Sequence, residues 1–209
     1  MVQQERLNLD KTVSVIFTLK KTVIPSDFKN SVKFLGIHLN STLTWDIHGE
    51  EVSNKISKNI FLLRNLKKHV SIDVFRTAYF SLCQSHLMYG LLLWGHSSCR
   101  HRLFRLQRKA VRIVANIGYR DECRSCFISM KILTLPCIYI LTCILHLKKN
   151  AHSYLFHGEI YRYDTRQHNL ICPRKMRLSK SQNGIDYFCI RFFNKLPVAI
   201  RDLDLDVLK

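Results

Sequence analysis

Glycine, proline and acidic residues are scarce in this sequence. With 7 Gly and 4 Pro among 209 residues, collagen, elastic linkers and glycine-rich β repeats are excluded. Only 15 Asp and Glu accompany 33 Lys and Arg, so the formal net charge is +18, which argues against an acidic scaffold or a neutral metabolic enzyme. Because 47% of the residues are hydrophobic, we expect a folded core. The charge predicts a polyanion or an anionic surface as the partner.

The sequence also has little that suggests a membrane span or secretion. A strongly apolar run without charge, residues 132–147, has 16 residues, fewer than the roughly 20 that a spanning helix needs. We interpret it as a buried helix whose first turn contains Pro136 and which ends at Lys148 and Lys149. Residues 1–12 lack an apolar signal segment, so we expect an intracellular protein, nuclear or cytoplasmic, with eight free thiols.

The first fifty residues have the alternation of β-strands. Residues 12–17 are β-branched and apolar, and residues 31–40 alternate between polar and apolar positions. With turn-forming residues around Pro25 between them, the two segments predict a pair of antiparallel strands. Gly36 inside the second segment indicates either a bulge or a close approach of the backbone to a ligand.

After Trp45 the apolar positions follow a helical period. Apolar residues at helical spacing from Ile56 to Val70 predict a first helix, with cations around it at Lys55, Lys58, Lys67 and Lys68. A second helix is predicted over residues 74–93, capped by Ser71 and ended by Gly95. A third helix is predicted from residue 99 to a C-terminal Gly118. Its apolar stripe consists of Leu103, Leu106, Ala110, Ile113, Val114 and Ile117.

The basic charge is concentrated in this helical block. Residues 51–120 hold thirteen basic and two acidic side chains, a net charge of +11. The third helix has six cations and no acidic partner: Arg100, Arg102, Arg105, Arg108, Lys109 and Arg112. Such cations cannot neutralise one another through i,i+4 pairs, so we expect them to contact phosphate. A basic face that is merely solvated is the alternative.

These patterns predict an α+β fold that is mostly α. An N-terminal β-hairpin precedes a helical bundle, and an irregular basic tail follows it. The expected segments are residues 1–48 for the hairpin, 49–150 for the helices and 151–209 for the tail, which carries a late apolar cluster around Phe192.

Residues for catalysis or metal binding are few. No pair of carboxylates sits where a strand turn would hold the two ions of phosphoryl transfer, about 3.5–4 Å apart. There is no phosphate-cradling glycine loop and no dinucleotide fingerprint. Cys123 and Cys126 have a zinc-ligand spacing, but no second pair of matching spacing accompanies them. We therefore predict no catalytic residue, no metal site and no cofactor in this chain.

Short motifs in a fixed order nonetheless run along nearly the whole chain. The positions concerned are Asn8, Lys11 and Thr12; Phe34, Leu35 and Gly36; Leu43, Thr44, Trp45 and His48; Ser85, His86, Tyr89, Gly90, Trp94 and Gly95; Leu106, Gln107, Ala110, Arg112 and Ile113; Thr165 and Arg166; and Asn194, Leu196 and Pro197. In this order and spacing they resemble the C-terminal part of the reverse transcriptase of jockey-like non-LTR retrotransposons.

The resemblance implies roles for particular residues. Phe34, Leu35 and Gly36 would form a hairpin between palm and thumb that acts as a primer grip, where the backbone passes close to the primer end. Lys11 would lie on the side where pyrophosphate leaves. The helices between residues 55 and 117 would form a thumb that follows the backbone of RNA, DNA or an RNA–DNA hybrid. The cations of that thumb are Lys55, Lys58, Lys67 and Lys68 together with the six of the third helix.

The Tyr-Ala-Asp-Asp motif that carries catalysis in that family is absent from these 209 residues. We therefore expect a fragment that does not polymerise alone and whose partner is the missing palm and fingers portion; Mg²⁺ is implied for the full-length polymerase only. Two alternatives stay open. One is an independent nucleic-acid-binding protein derived from the thumb. The other is a membrane-associated basic protein that inserts residues 132–147 shallowly into anionic lipid.

Overall fold

A computed structural model describes residues 12–19, 25–161, 166–178, 182 and 184–203. Two short antiparallel strands, β1 and β2, come first, and helices follow. The strands are β1 (Ser31–Phe34) and β2 (Ile37–Asn40). The helices are α1 (Asp46–Leu66), α2 (Ile72–Tyr79), α3 (Ser85–Met88), α4 (Leu91–Trp94), α5 (Arg100–Val114), α6 (Arg124–Ser129), α7 (Leu135–Lys149), α8 (His157–Ile160), α9 (Ile185–Lys195) and α10 (Val198–Arg201). The predicted class, α+β and mostly α with an N-terminal hairpin, is confirmed.

The hairpin is built differently from the prediction. The backbone reverses at Leu35 and Gly36, whose φ angles are 46° and 79°, so that Phe34 pairs with Ile37. Two consecutive positive φ angles define the two-residue turn whose twist suits a hairpin. The segment expected to be one strand is therefore two strands with a turn at Gly36. Of the two interpretations of this glycine, the bulge is wrong, and the close approach to a ligand stays a prediction.

Residues 12–17, the other predicted strand, lie alongside this hairpin and do not form a strand. The Ser14 carbonyl accepts a hydrogen bond from the Lys29 amide at 3.0 Å, and the Thr18 amide donates to the Ser41 carbonyl at 3.1 Å. These two bonds hold the segment against the ends of the hairpin.

The predicted helix over residues 74–93 is interrupted. After α2, a π-helical turn at Phe80–Gln84 leads into α3, and the chain then breaks at Gly90, whose φ is +61°. A β-carbon at this position would lie 2.7 Å from Cδ1 of Ile37. The break therefore brings the backbone of the helical part directly against the hairpin, a tertiary contact that local periodicity does not encode.

Helices α1 and α5 lie side by side and run in the same direction. Near their starts, a β-carbon at Gly49 would clash with the Cys99 side chain. Beyond their ends, the Lys67 ammonium donates to the Asn116 side-chain oxygen. Between these points α1 buries Val52, Ile56, Ile60 and Leu63, and α5 buries Leu103, Gln107, Ala110, Val111 and Val114. The predicted apolar faces of both helices form the core.

The end of α5 is earlier than predicted. The helix stops at Val114, and Asn116 takes the left-handed conformation with φ of 57°, the role that had been assigned to Gly118. Asparagine tolerates this conformation better than most residues.

The prediction for α7 is confirmed. Its first turn contains Pro136, and the Thr134 hydroxyl accepts from the Cys137 amide at 3.4 Å. The apolar cluster of the tail forms α9, which packs on α7 with the rings of Tyr139 and Phe192 edge to face at 5.8 Å. Among the described residues, no helix has the length and apolar character needed to cross a membrane. The division into three segments stays a prediction.

Candidate nucleic-acid interface

The outer face of α5 forms one side of a cationic cleft of about 500 Å³. We call this cleft the α5 groove. Its lining consists of six cations, one apolar side chain and one aromatic ring: Arg102, Arg105, Arg108, Lys109, Arg112, Arg120, Leu106 and Tyr119.

Helical geometry explains why these cations gather. Residues three, four or seven apart lie on one face of a helix, which aligns Arg102, Arg105 and Lys109. Leu103 and Ala110 lie on the opposite face of α5 and are fully buried. Burial of the apolar stripe therefore fixes the cationic face toward solvent.

The loop after α5 closes the groove. The Asp121 carboxylate accepts from the Gly118 amide at 2.7 Å, and the Asp121 carbonyl accepts from Nε of Arg112 at 2.8 Å. This turn places Tyr119 and Arg120 beside the helix, with the tyrosine ring 74% exposed. Neither residue was among the predicted contacts; the available signal was the turn-forming Gly–Tyr–Arg–Asp segment directly after the basic helix.

The cations of the α5 groove make no ion pair within 4 Å with any acidic residue among those the structure describes. The ion pairs of that part of the chain all involve Glu51, whose partners are Lys33 at 3.0 Å, Lys55 at 2.9 Å and His38. Six like charges in one cleft repel one another, and a polyanion relieves this repulsion while it releases its own counterions. The groove is therefore suited to bind phosphates.

The remaining predicted cations lie elsewhere. Arg100 lines a smaller pocket of about 260 Å³ beside Tyr139 and Phe192, and Lys55 is paired with Glu51. On α1 and just after it, Lys58, Lys67 and Lys68 are exposed. The structure thus brings five of the ten predicted cations into the α5 groove.

The tip of the hairpin is the second candidate site. We call Phe34, Leu35 and Gly36 the hairpin tip; the side chains of Phe34 and Leu35 are 61% and 74% exposed. The Tyr89 hydroxyl donates a hydrogen bond to the Leu35 carbonyl, and a β-carbon on Gly36 would lie 3.5 Å from the Tyr89 ring. Tyr89 therefore supports the tip from below, and the tip presents two apolar side chains to solvent. Lys11, the predicted residue on the pyrophosphate side, lies outside the described residues.

The hairpin is attached to α1 through Lys33 and His38, the strand pair next to Phe34 and Ile37. The lysine at position 55 donates to Glu51 and, with Lys33, lowers the pKa of this carboxyl to about 2. Beside it, His48 is buried, and burial lowers the pKa of its imidazole. The His48 ring packs on Trp94 with centroids 5.9 Å apart. These contacts hold the orientation of the hairpin relative to the helices.

Gln107, one of the positions in the sequence motifs, points away from the groove into the core. Its amide donates to the Tyr79 hydroxyl at 3.1 Å and to the Leu133 carbonyl at 3.0 Å, and its oxygen accepts from the Leu135 amide at 2.7 Å. Its role is therefore to join α5 to α2 and to the start of α7.

Cys123 and Cys126 do not assemble a metal site in the described part of the chain, where no group of three or more His, Cys, Asp or Glu side chains could hold an ion. All eight cysteines are free thiols.

Comparison with known proteins finds a distant relative. No protein-family model matches the chain, and no solved structure matches it. Over 174 residues the chain is 24% identical to a protein of Drosophila melanogaster described as "Probable RNA-directed DNA polymerase from transposon X-element". The match covers 77% of this chain and 18% of that protein, so the chain spans less than a fifth of the relative's length. This similarity supports a relationship between the chain and the reverse transcriptases of transposons.

Proposed function

We propose that the chain binds the sugar–phosphate backbone of an RNA or DNA duplex or an RNA–DNA hybrid through the α5 groove. The observation that carries the proposal is the cleft of six cations with no ion pair among the described residues. Contacts of this kind bind any sequence, because phosphates are the same at every position. The exposed Tyr119 ring adds a surface on which a base or sugar can pack.

Within a reverse transcriptase this binding would belong to the thumb. We place the chain in the C-terminal part of a jockey-like non-LTR element, acting inside the cell, in the nucleus or cytoplasm. The hairpin tip would then contact the primer end. Its turn is held by the hydrogen bond from Tyr89 to the Leu35 carbonyl, and its exposed apolar side chains suit a close approach to a nucleotide. The carboxylates that hold the Mg²⁺ ions of polymerisation would come from the palm, outside these 209 residues.

The direct test is the salt dependence of binding to a 20-base-pair RNA–DNA hybrid, measured by fluorescence anisotropy. Six phosphate contacts predict that log K falls with log salt with a slope of about −5, and that affinity drops about a thousandfold between 50 and 200 mM salt. Affinity that stays constant over this range contradicts the proposal.

Matched variants locate the contact. Neutralising Arg102, Arg105 and Lys109 together, each to Gln, should reduce the slope to about −3. The control neutralises three exposed cations away from the groove, Lys149, Arg191 and Lys195, and should leave the slope unchanged. Equal effects of the two triple variants would remove the groove from the interface. Binding to anionic vesicles that survives high salt would favour the membrane alternative.

A further inference from the structure

An apolar pocket of about 580 Å³ opens next to the α5 groove. We call it the α6 pocket, because the chain from Glu122 to Cys137, which includes α6, forms most of its lining. Its walls include Phe104 from α5 and Phe127, Ile128 and Leu133 from the α6 region. Ligand pockets typically measure roughly 300–1,000 Å³ and have mostly apolar walls, so size and lining suit a small, flat, apolar group.

Two of the wall residues are open to solvent. Ile128 is 74% exposed and Leu133 is 47% exposed, although both line a concave surface. Apolar side chains in this position gain free energy when a ligand covers them. No residue in the described part of the chain covers the exposed portions of Ile128 and Leu133.

Arg108 joins the pocket to the groove, since its side chain lines both. The guanidinium carbon lies 5.9 Å from the centre of the Phe104 ring, where a cation–π contact holds it. A phosphate bound by Arg108 would therefore lie at the mouth of the apolar pocket.

The rim charges favour a polyanionic strand as the source of the occupant. Arg108, Arg124 and Lys131 line the pocket, and Glu122 is the carboxylate among its lining residues. A partner that enters this pocket meets an excess of positive charge, which complements phosphates on either side of an inserted group.

We propose that the α6 pocket receives an unpaired nucleobase from a strand whose phosphates lie in the α5 groove. The proposal rests on the proposed function, since the groove must first hold the strand. An unstacked base has apolar faces that pack against Phe104 and the aliphatic walls, while its flanking phosphates reach Arg108 and Arg124. The pocket thereby distinguishes a strand with an unpaired end from a continuous duplex.

The experiment compares three hybrids of equal duplex length: blunt, with a three-nucleotide single-stranded overhang, and with the same overhang made abasic. The two overhangs carry equal charge, so their difference reports the base alone. The protein should bind the overhang with bases about tenfold more tightly than the abasic one. A fluorescent 2-aminopurine in the overhang should change its emission on binding.

Variants assign the effect to the pocket. Ile128→Ser with Leu133→Ser should abolish the preference for bases while blunt-hybrid affinity and its salt slope stay the same; Leu133→Ser alone should reduce it. The control changes two equally exposed apolar residues elsewhere, Ile72→Ser with Leu155→Ser, and should keep the preference. Melting curves confirm that each variant is folded.

The outcomes separate this proposal from the function on which it rests. Equal affinity for the two overhangs, with salt-sensitive binding to the blunt hybrid retained, overturns the pocket proposal and leaves the groove. Loss of salt-sensitive binding to every hybrid overturns both. A preference for bases that survives in the pocket variant refutes the assignment to this pocket.

Discussion

Replacing Gln107 by Met is the sharpest test of how the cationic helix is anchored. Methionine has nearly the same length and volume, so packing changes little, but it can make none of the three hydrogen bonds of the glutamine. Gln107 is fully buried, so water cannot replace what is lost.

The magnitude follows from the partners left behind. The Tyr79 hydroxyl belongs to a fully buried side chain, and burial raises the pKa of Tyr79, which keeps this hydroxyl protonated and in need of a partner. The Leu135 amide loses its acceptor as well. A buried polar group left without a partner costs about 1–3 kcal/mol, so two such groups cost about 3 kcal/mol together.

Urea denaturation followed by circular dichroism measures the effect. We expect the free energy of unfolding to fall by about 3 kcal/mol and Tm to fall by roughly 6–12 °C. The matched control is Gln167→Met at an exposed position, which should change stability by less than about 0.5 kcal/mol. A loss below about 1 kcal/mol for Gln107→Met would refute the role assigned to this side chain.

Three further predictions concern the hairpin. The Lys55 hydrogen bond holds the pKa of Glu51 at about 2, below its usual 4.5. The ionised carboxylate therefore stabilises the fold fully above pH 4.5, and this stabilisation is lost as the pH falls to about 2. Glu51→Gln should cost about 1 kcal/mol at pH 7, and denaturation at decreasing pH should show the difference between the two proteins vanish. Gly90→Ala should destabilise by about 2–4 kcal/mol, because φ is +61° and the new methyl group meets Ile37; thermal melting checks this, and an unchanged Tm contradicts it. Tyr89→Phe removes the hydrogen bond to the hairpin tip and should cost about 1 kcal/mol, seen as faster hydrogen exchange of the hairpin amides; unchanged exchange would show that the bond does not hold the tip.

Sequence periodicity was a sufficient guide wherever burial of one helix face determines the structure. The apolar stripe of α5 and the proline-initiated start of α7 were predictable, because a helix with one apolar face must bury it. The same reasoning placed Arg102, Arg105 and Lys109 on the outside. The resemblance to reverse transcriptases identified the chain from Phe34 to Gly36 as a hairpin, which residue alternation alone had assigned to one strand.

Features that depend on tertiary contacts were not predictable from local patterns. The positive φ of Leu35 is unfavourable for a residue with a β-carbon. The Tyr89 hydroxyl, which donates a hydrogen bond to the Leu35 carbonyl, belongs to a residue that is distant in sequence. The break at Gly90 lies directly against Ile37, a residue far away in the sequence. Arg120 lines the groove because the hydrogen bonds of Asp121 turn the chain back toward α5. Arg100, the first residue of α5, lines a different pocket on another side of this helix.

The most direct test of the central claim, that the outer face of α5 contacts nucleic-acid backbone, is a lysine footprint. The protein is modified with an amine-reactive reagent with and without a saturating RNA–DNA hybrid, and each lysine is quantified by mass spectrometry. The account predicts severalfold protection of Lys109 in the groove, while exposed Lys149 and Lys195 react equally in both samples. Unchanged reactivity of Lys109, or equal protection of all three lysines, would contradict it.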